Sequence, residues 1–158
     1  MKKKKIIVHT AGTFDLFHIG HLNILRRSKE LGDYLIVAVS TDELIESYKG
    51  VKPVIPYEQR VEIVKSIKYV DKVIKQTILH DIRQLKKYEV DITTIGDDWK
   101  NKHLEGIEWM KKNGKKVVYL PYTKGVSVTG IKKRIIENAY NIIYAQLKRE
   151  LVTRDEVD

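Results

Sequence analysis

The apolar positions of this chain come in short continuous runs, and between those runs the apolar residues recur at helical spacing. Ile6-Ile7-Val8 is suited to a buried strand, and it leads into a loop over 10–17 in which Gly12 is the flexible point. From 18 to 31 the period changes. Leu22, Leu25 and Leu31 fall on one helical stripe with Ile24 beside it, and Gly32 stands where a glycine closes a helix. Tyr34-Leu35-Ile36-Val37-Ala38-Val39 is apolar almost without interruption, the mark of a strand covered by helices on both faces. The alternation continues with a short helix over 42–48, a loop holding Gly50, Pro53 and Pro56, a helix over 57–67 and a strand over 70–74. A helix over 78–87, a strand over 92–95, a helix over 104–113 closed by Gly114, a strand over 117–120 and a last helix from about Thr129 complete the pattern.

Parallel strands need crossover connections, and helices between successive strands supply them with right-handed geometry. The pattern therefore predicts an α/β fold: a doubly wound, Rossmann-like five-stranded parallel sheet with helices on both faces. Ligands of such sheets bind beyond the carboxyl ends of the strands. That rule selects the loops over 10–20, 96–101 and 121–129.

Composition narrows the chemistry. With 158 residues, 42% of them hydrophobic, and no repeat or linker, the chain makes one domain with a core of ordinary size. The absence of cysteine excludes a disulfide framework, a thiol nucleophile and a thiolate zinc site, and it points to the cytoplasm. Met1 to Lys5 is a basic start, but the apolar stretch after it is too short for a signal-peptide core, and no run approaches the roughly 18 residues of a membrane span. No membrane insertion is expected. The formal charge of +9 raises the question of nucleic acid. The lysines, however, are scattered and interleaved with Asp and Glu rather than gathered with stacking aromatics, so the expected partner is an anionic small molecule and not a nucleic acid.

The first selected loop ends in His18-Ile19-Gly20-His21, which places two imidazoles three residues apart on one face of a helix start. A helix N-terminus offers backbone N–H groups and a positive dipole end to an anion, and the histidines add directional donors. Gly20 lets a phosphate approach the backbone. The bland alternative is a capping or packed histidine. A metal site is the other competitor, but it needs a third ligand, for which Asp15 is the one candidate nearby, and no metal ligation is predicted.

Gly12-Thr13-Phe14-Asp15 followed by His18-Ile19-Gly20-His21 resembles the HxGH motif of the cytidylyltransferases within the nucleotidyltransferase superfamily. Gly32-Asp33-Tyr34-Leu35, Ser40-Thr41-Asp42-Glu43, Tyr57-Glu58-Gln59-Arg60, Tyr69-Val70-Asp71-Lys72-Val73-Ile74 and Gly96-Asp97-Asp98-Trp99 extend the likeness over residues 6–136, nearest to the glycerol-3-phosphate cytidylyltransferases. The resemblance implies a nucleotidyltransferase domain over 1–136 with a helical tail over 137–158. It implies transfer of CMP from CTP to an alcohol phosphate, with Mg²⁺ accompanying CTP, pyrophosphate leaving and no covalent intermediate. By the same analogy His18, His21 and Lys49 are catalytic, with Lys52 the alternative to Lys49 as the mobile-loop lysine. Gly12, Thr13, Phe14, Gly20, Asp98, Pro121, Thr123, Gly125, Ser127 and Thr129 would bind nucleotide. Asp15, Lys68, Trp99 and Tyr122 would meet the acceptor.

Some positions depart from the pattern. In Pro121-Tyr122-Thr123-Lys124-Gly125-Val126-Ser127-Val128-Thr129, Tyr122 stands where the glycerol-phosphate enzymes have arginine, and Val128 replaces the first residue of a Thr-Thr pair. Lys68 replaces another arginine, and the loop from Tyr48 to Pro56 is more like that of choline- or ethanolamine-phosphate enzymes. Glycerol 3-phosphate is the leading acceptor, with ethanolamine phosphate, choline phosphate or a phosphonate as alternatives. Adenylyl transfer from ATP and a non-catalytic nucleotide-binding module are the remaining readings. The resemblance also implies a homodimer with residues 69–74 near its interface. In the tail, Ile142, Ile143, Leu147 and Leu151 form an apolar stripe expected to pack on its own domain, a dimer contact being the alternative.

Overall fold

The computed structural model describes residues 4–155, and side chains through Lys148 and Arg149. The chain divides into two compact units, one up to Lys124 and one from Gly125.

In the first unit the elements run β1 (Ile7–Gly12), α1 (Ile19–Lys29), β2 (Tyr34–Ser40), α2 (Asp42–Lys49), α3 (Tyr57–Lys65), β3 (Lys72–Gln76), α4 (Ile82–Lys87), β4 (Ile92–Gly96), a 3-10 turn (Asp97–Trp99), α5 (Glu105–Lys112) and β5 (Lys116–Leu120). All strand pairs are parallel, in the order β3-β2-β1-β4-β5. The expected doubly wound sheet is present. The chain steps outward from β1 to β3, then returns to lay β4 on the other side of β1, so the topological switch point falls at the carboxyl ends of β1 and β4.

β2 explains why its sequence is so apolar. Leu35, Val37 and Val39 face Val8, Leu25 of α1 and Val64 of α3, while Ile36 and Ala38 face the opposite layer with Ile74, Ile7 and Tyr88. Each fully buried Leu, Val or Ile among them contributes about 1.5–3 kcal/mol. α4 and α5 complete the second layer through Leu85, Val90 and Met110. A polar seat sits inside the first layer: Ser28 Oγ of α1 bonds Thr94 Oγ1 of β4 at 2.7 Å, and Thr10 Oγ1 of β1 donates to the Thr94 carbonyl at 3.3 Å. The first bond ties the last turn of α1 to β4, and the second ties β1 to β4.

Several boundaries differ from the sequence reading: β1 runs on to Gly12, into the segment read as loop, and α3 ends at Lys65 rather than 67. α1 closes at Glu30 in right-handed conformation, not at a glycine cap. Gly32 serves close packing instead, because a Cβ there would lie 2.6 Å from Val8 Cγ2 and 2.8 Å from the Ile6 carbonyl. β3 begins two residues later than expected, since Val70 N bonds the Ile67 carbonyl in a turn and Asp71 N bonds the Leu35 carbonyl before the ladder starts. α4 begins at Ile82 rather than 78, after Asp81 caps it and His80 takes a left-handed φ of 48°.

The second unit consists of the turn at Gly125 (φ 78°) and α6 (Val128–Asp155), in which Ser127 Oγ accepts from Gly130 N at 3.0 Å. α6 continues without a break through the stretch read as a tail, and Tyr140 and Tyr144 stack at 6.2 Å on it. Leu151, the last residue of the expected stripe, lies outside the residues whose side chains are described, as do Met1, Lys2 and Lys3. Among the described residues no helix is long and apolar enough to cross a membrane.

Candidate active site

The loop leaving β1 is held in an uncommon shape. Phe14 (φ 54°) and Leu16 (φ 42°) both occupy the left-handed region, a conformation that costs a non-glycine residue of order 1 kcal/mol or more and needs support. Asp15 supplies part of it. Its buried carboxylate accepts from Leu16 N at 3.0 Å, Val54 N at 3.0 Å and Ile55 N at 2.9 Å, which ties the β1 loop to the loop before α3. Arg60 supplies the rest from a fully buried position: it donates to the carbonyls of Thr13, Ser40 (2.9 Å) and Ile55 (2.9 Å) and pairs with Asp42 at 2.6 Å. One guanidinium thus joins four chain segments at the carboxyl end of β1 and β2. Gly12 lets Phe14 fold back, since a Cβ there would lie 3.1 Å from its ring.

The two histidines cap α1 reciprocally. His18 is the N-cap residue, and its Nδ1 accepts from Gly20 N at 3.0 Å, while His21 Nδ1 accepts from His18 N at 3.4 Å. An Nδ1 that accepts must leave the proton on Nε2, so both rings are neutral and turn an Nε2–H donor away from the cap. The rings stack at 3.9 Å with 19° between planes, and Phe14 and Phe17 pack around His21 at 5.5 and 5.4 Å. Burial pushes His21 down to about 4, helped by His18 and opposed by Asp15. Burial also lowers His18. The arrangement offers two parallel donors at the positive end of a helix dipole without positive charges of their own.

Other segments converge on this helix end. Asn23 Nδ2 donates to Thr123 Oγ1 at 3.0 Å and Arg27 donates to the Pro121 carbonyl at 3.3 Å, which fastens the loop after β5 along α1. The Tyr48 hydroxyl, at the end of α2, faces Thr13 of the β1 loop. The neighbouring Lys49 carries its Nζ 5.7 Å from the Tyr48 ring. Lys52 is engaged instead with Glu46 at 3.7 Å. Asp98 lies in the 3-10 turn after β4, and Tyr122 reaches it from the loop after β5.

Not every expected residue joins them. Lys68 precedes Asp71, which bonds Lys29 at the far end of α1 and Leu35 N at the start of β2, so it lies at the amino-terminal edge of the sheet, opposite the histidines. Its replacement of an arginine therefore bears on that edge. Asp15, expected at the acceptor, uses its carboxylate on backbone N–H groups. Trp99 packs on Ile95, Leu104 and Ile107 and carries Lys102 over its ring at 4.3 Å. Gly125, Ser127 and Thr129 belong to the second unit. Arg60 was not singled out in the sequence, although an arginine following Tyr57 in an otherwise exposed helix start gave the block in which it lies.

Comparison with known proteins decides the family. A cytidylyltransferase-like family model matches residues 9–134. The chain belongs to the cytidylyltransferase-like family. It is 44% identical over 133 residues to a glycerol-3-phosphate cytidylyltransferase of Bacillus subtilis strain 168, covering 84% of this chain and 97% of that protein. It is 35% identical over 142 residues to an FAD synthase of Thermococcus kodakarensis, covering 86% and 95%. Among solved structures, a lipopolysaccharide core biosynthesis protein of Thermoplasma volcanium superposes with a TM-score of 0.62 at 28% identity, over 78% of this chain and all of that one. The family model spans the histidine pair, the Asp98 turn and the Tyr122 loop together.

Proposed function

We propose that this cytidylyltransferase-like protein transfers CMP from CTP to sn-glycerol 3-phosphate, giving CDP-glycerol and pyrophosphate. The observation that carries the reading is the pair of neutral Nε2–H donors on His18 and His21 at the start of α1, in a chain closely similar to a glycerol-3-phosphate cytidylyltransferase. A phosphate oxygen of the acceptor attacks the α-phosphorus of CTP in line, a new P–O bond forms, and the bond to the bridging oxygen breaks as pyrophosphate leaves. His18 and His21 donate to the non-bridging oxygens on which charge accumulates, and the helix dipole adds to them. Lys49 neutralises the outer phosphates. Thr13, whose carbonyl is held by Arg60, shapes the nucleotide side of the β1 loop.

Mg²⁺ accompanying CTP would supply further neutralisation of phosphate charge, with His18, His21 and Lys49 providing this chain's own donors. Among the described residues no three His, Asp or Glu side chains gather at one point, and Asp15 is taken up by backbone N–H groups. This donor set fits an ion that arrives on the nucleotide and keeps mostly phosphate and water ligands, as Mg²⁺ does. The enzyme works in the cytoplasm as a homodimer.

Adenylyl transfer from ATP is the second reading, favoured by the similarity to an FAD synthase. Pyrophosphate release measured with CTP or ATP, each with and without glycerol 3-phosphate or a flavin phosphate, separates the two. Release that needs both CTP and glycerol 3-phosphate supports the proposal; ATP preference in the presence of a flavin phosphate refutes it.

A further inference from the structure

Two side chains from different strand exits meet over the end of β4. Asp98 comes from the turn after β4 and Tyr122 from the loop after β5, and the two strands run in register with Gly96 opposite Leu120. A Cβ on Gly96 would lie 2.6 Å from Asp98 Oδ1 and 3.4 Å from Tyr122 Oη, so the missing side chain is what allows carboxylate and hydroxyl to close over the strand end. The Tyr122 hydroxyl and the Asp98 carboxylate thus face one another over the strand end. Burial first, and then the charges of Asp98 and Asp97, push that phenol up to about 12, so it remains a donor at every working pH. The residue as a whole is 56% exposed and belongs to no core cluster.

We propose that Tyr122 is a positioning residue for the nucleotide, its hydroxyl holding Asp98 so that the remaining carboxylate lone pairs face the donor groups of CTP. The proposal rests on the reading of the chain as a CTP-dependent transferase. Asp98 belongs to a three-residue 3-10 turn without a side-chain cap, so its own segment gives the carboxylate little orientation. A hydrogen bond from a rigid phenol removes that freedom. Being neutral, the phenol leaves Asp98 its full negative charge, which strengthens each bond the carboxylate accepts. A cationic partner at the same place would instead draw the carboxylate into an ion pair and weaken its hold on the substrate.

The test is a double-mutant cycle read by calorimetric titration with Mg²⁺-CTP, with thermal unfolding of each variant alongside. Tyr122→Phe keeps the ring and removes the donor; Asp98→Asn removes the charge. Each single variant should bind Mg²⁺-CTP roughly tenfold more weakly, in line with the loss of a hydrogen bond involving a charged group, while unfolding at the wild-type temperature. The double variant should bind no more weakly than Asp98→Asn alone. Wild-type affinity in Tyr122→Phe would overturn the proposal. So would additive losses, because they would show Tyr122 acting independently of Asp98. Absence of Mg²⁺-CTP binding by the wild-type protein would instead overturn the transferase reading, and this proposal with it.

Discussion

Acidification from pH 7.5 to 5.0 should remove about 4 kcal/mol of folding stability through two histidines that the active site does not use. His9 lies in the middle of β1 and His80 in the turn before α4; they are 2% and 6% exposed, and their rings meet edge to face at 6.0 Å. Neither Nδ1 has a hydrogen-bond partner. Burial lowers His9 to about 3, aided by His80, and lowers His80 to about 4, both from an ordinary 6.5. The unfolded chain therefore takes up two protons as the pH drops below 6.5, while the native state takes them up only near 3 to 4. Stability from this source is complete above about 6.5 and declines as the pH falls. Each group contributes a slope of about 1.4 kcal/mol per pH unit, so 1.5 units below the unfolded value amounts to about 2 kcal/mol apiece. His21, lowered to about 4, adds about 2 kcal/mol by the same reasoning. Asp71, Asp81 and Asp91 are held below their ordinary 3.8 by hydrogen bonds and neighbouring cations, against the opposing effect of burial, and their contributions fade only at lower pH than this window. His9→Leu removes one member of the pair and its orphaned nitrogen. Urea unfolding at pH 7.5 and 5.0 should give a variant at least as stable as wild type at 7.5, with a pH-dependent loss smaller by about 2 kcal/mol. An unchanged loss would show that His9 is not charged on unfolding in this range, and would refute the reasoning.

The remaining predictions concern the site. His18→Asn keeps a side-chain cap on α1 but removes the outward donor, so turnover should fall by roughly a hundredfold or more while the unfolding midpoint stays near wild type; a retained rate would remove His18 from the mechanism. Lys49→Ala should lower both turnover and CTP affinity, and Lys52→Ala, which breaks only an exposed ion pair, should change neither; the reverse outcome in steady-state kinetics would transfer the role to Lys52. Arg60→Met leaves Asp42 and the carbonyls of Thr13, Ser40 and Ile55 without their shared partner, and should cost about 3–5 kcal/mol in denaturant unfolding. A loss under 1 kcal/mol would mean that water replaces it.

The architecture was legible because its signals are local. The apolar run of β2, the stripe of α1 and the spacing between them require only neighbouring residues, and the five parallel strands follow. The misplaced boundaries arise where distant contacts override a local preference. Gly32 reads as a helix stop from its position, but Val8 and Ile6 dictate its lack of a side chain. Val70 reads as strand because it is apolar, yet a turn to Ile67 claims its N–H. The histidine pair of the site could be read from its motif, and the tautomers could not, because they depend on which N–H each ring caps. Asp15 and Arg60 act across 39–40 and 47 residues of sequence, respectively, and a carboxylate on remote backbone N–H groups leaves no periodic trace. Lys68 shows the converse, a residue assigned to the site by likeness of motif that the topology carries to the other end of the sheet.

The measurement that tests the central claim most directly is pyrophosphate release from Mg²⁺-CTP by the wild-type protein and its His18→Asn variant, with glycerol 3-phosphate, ethanolamine phosphate, choline phosphate and 2-aminoethylphosphonate offered in turn. Release with CTP and glycerol 3-phosphate together, absent when either is omitted and lost in the variant, is the predicted result. No release with any of these acceptors, or a rate that His18→Asn leaves intact, would contradict the account.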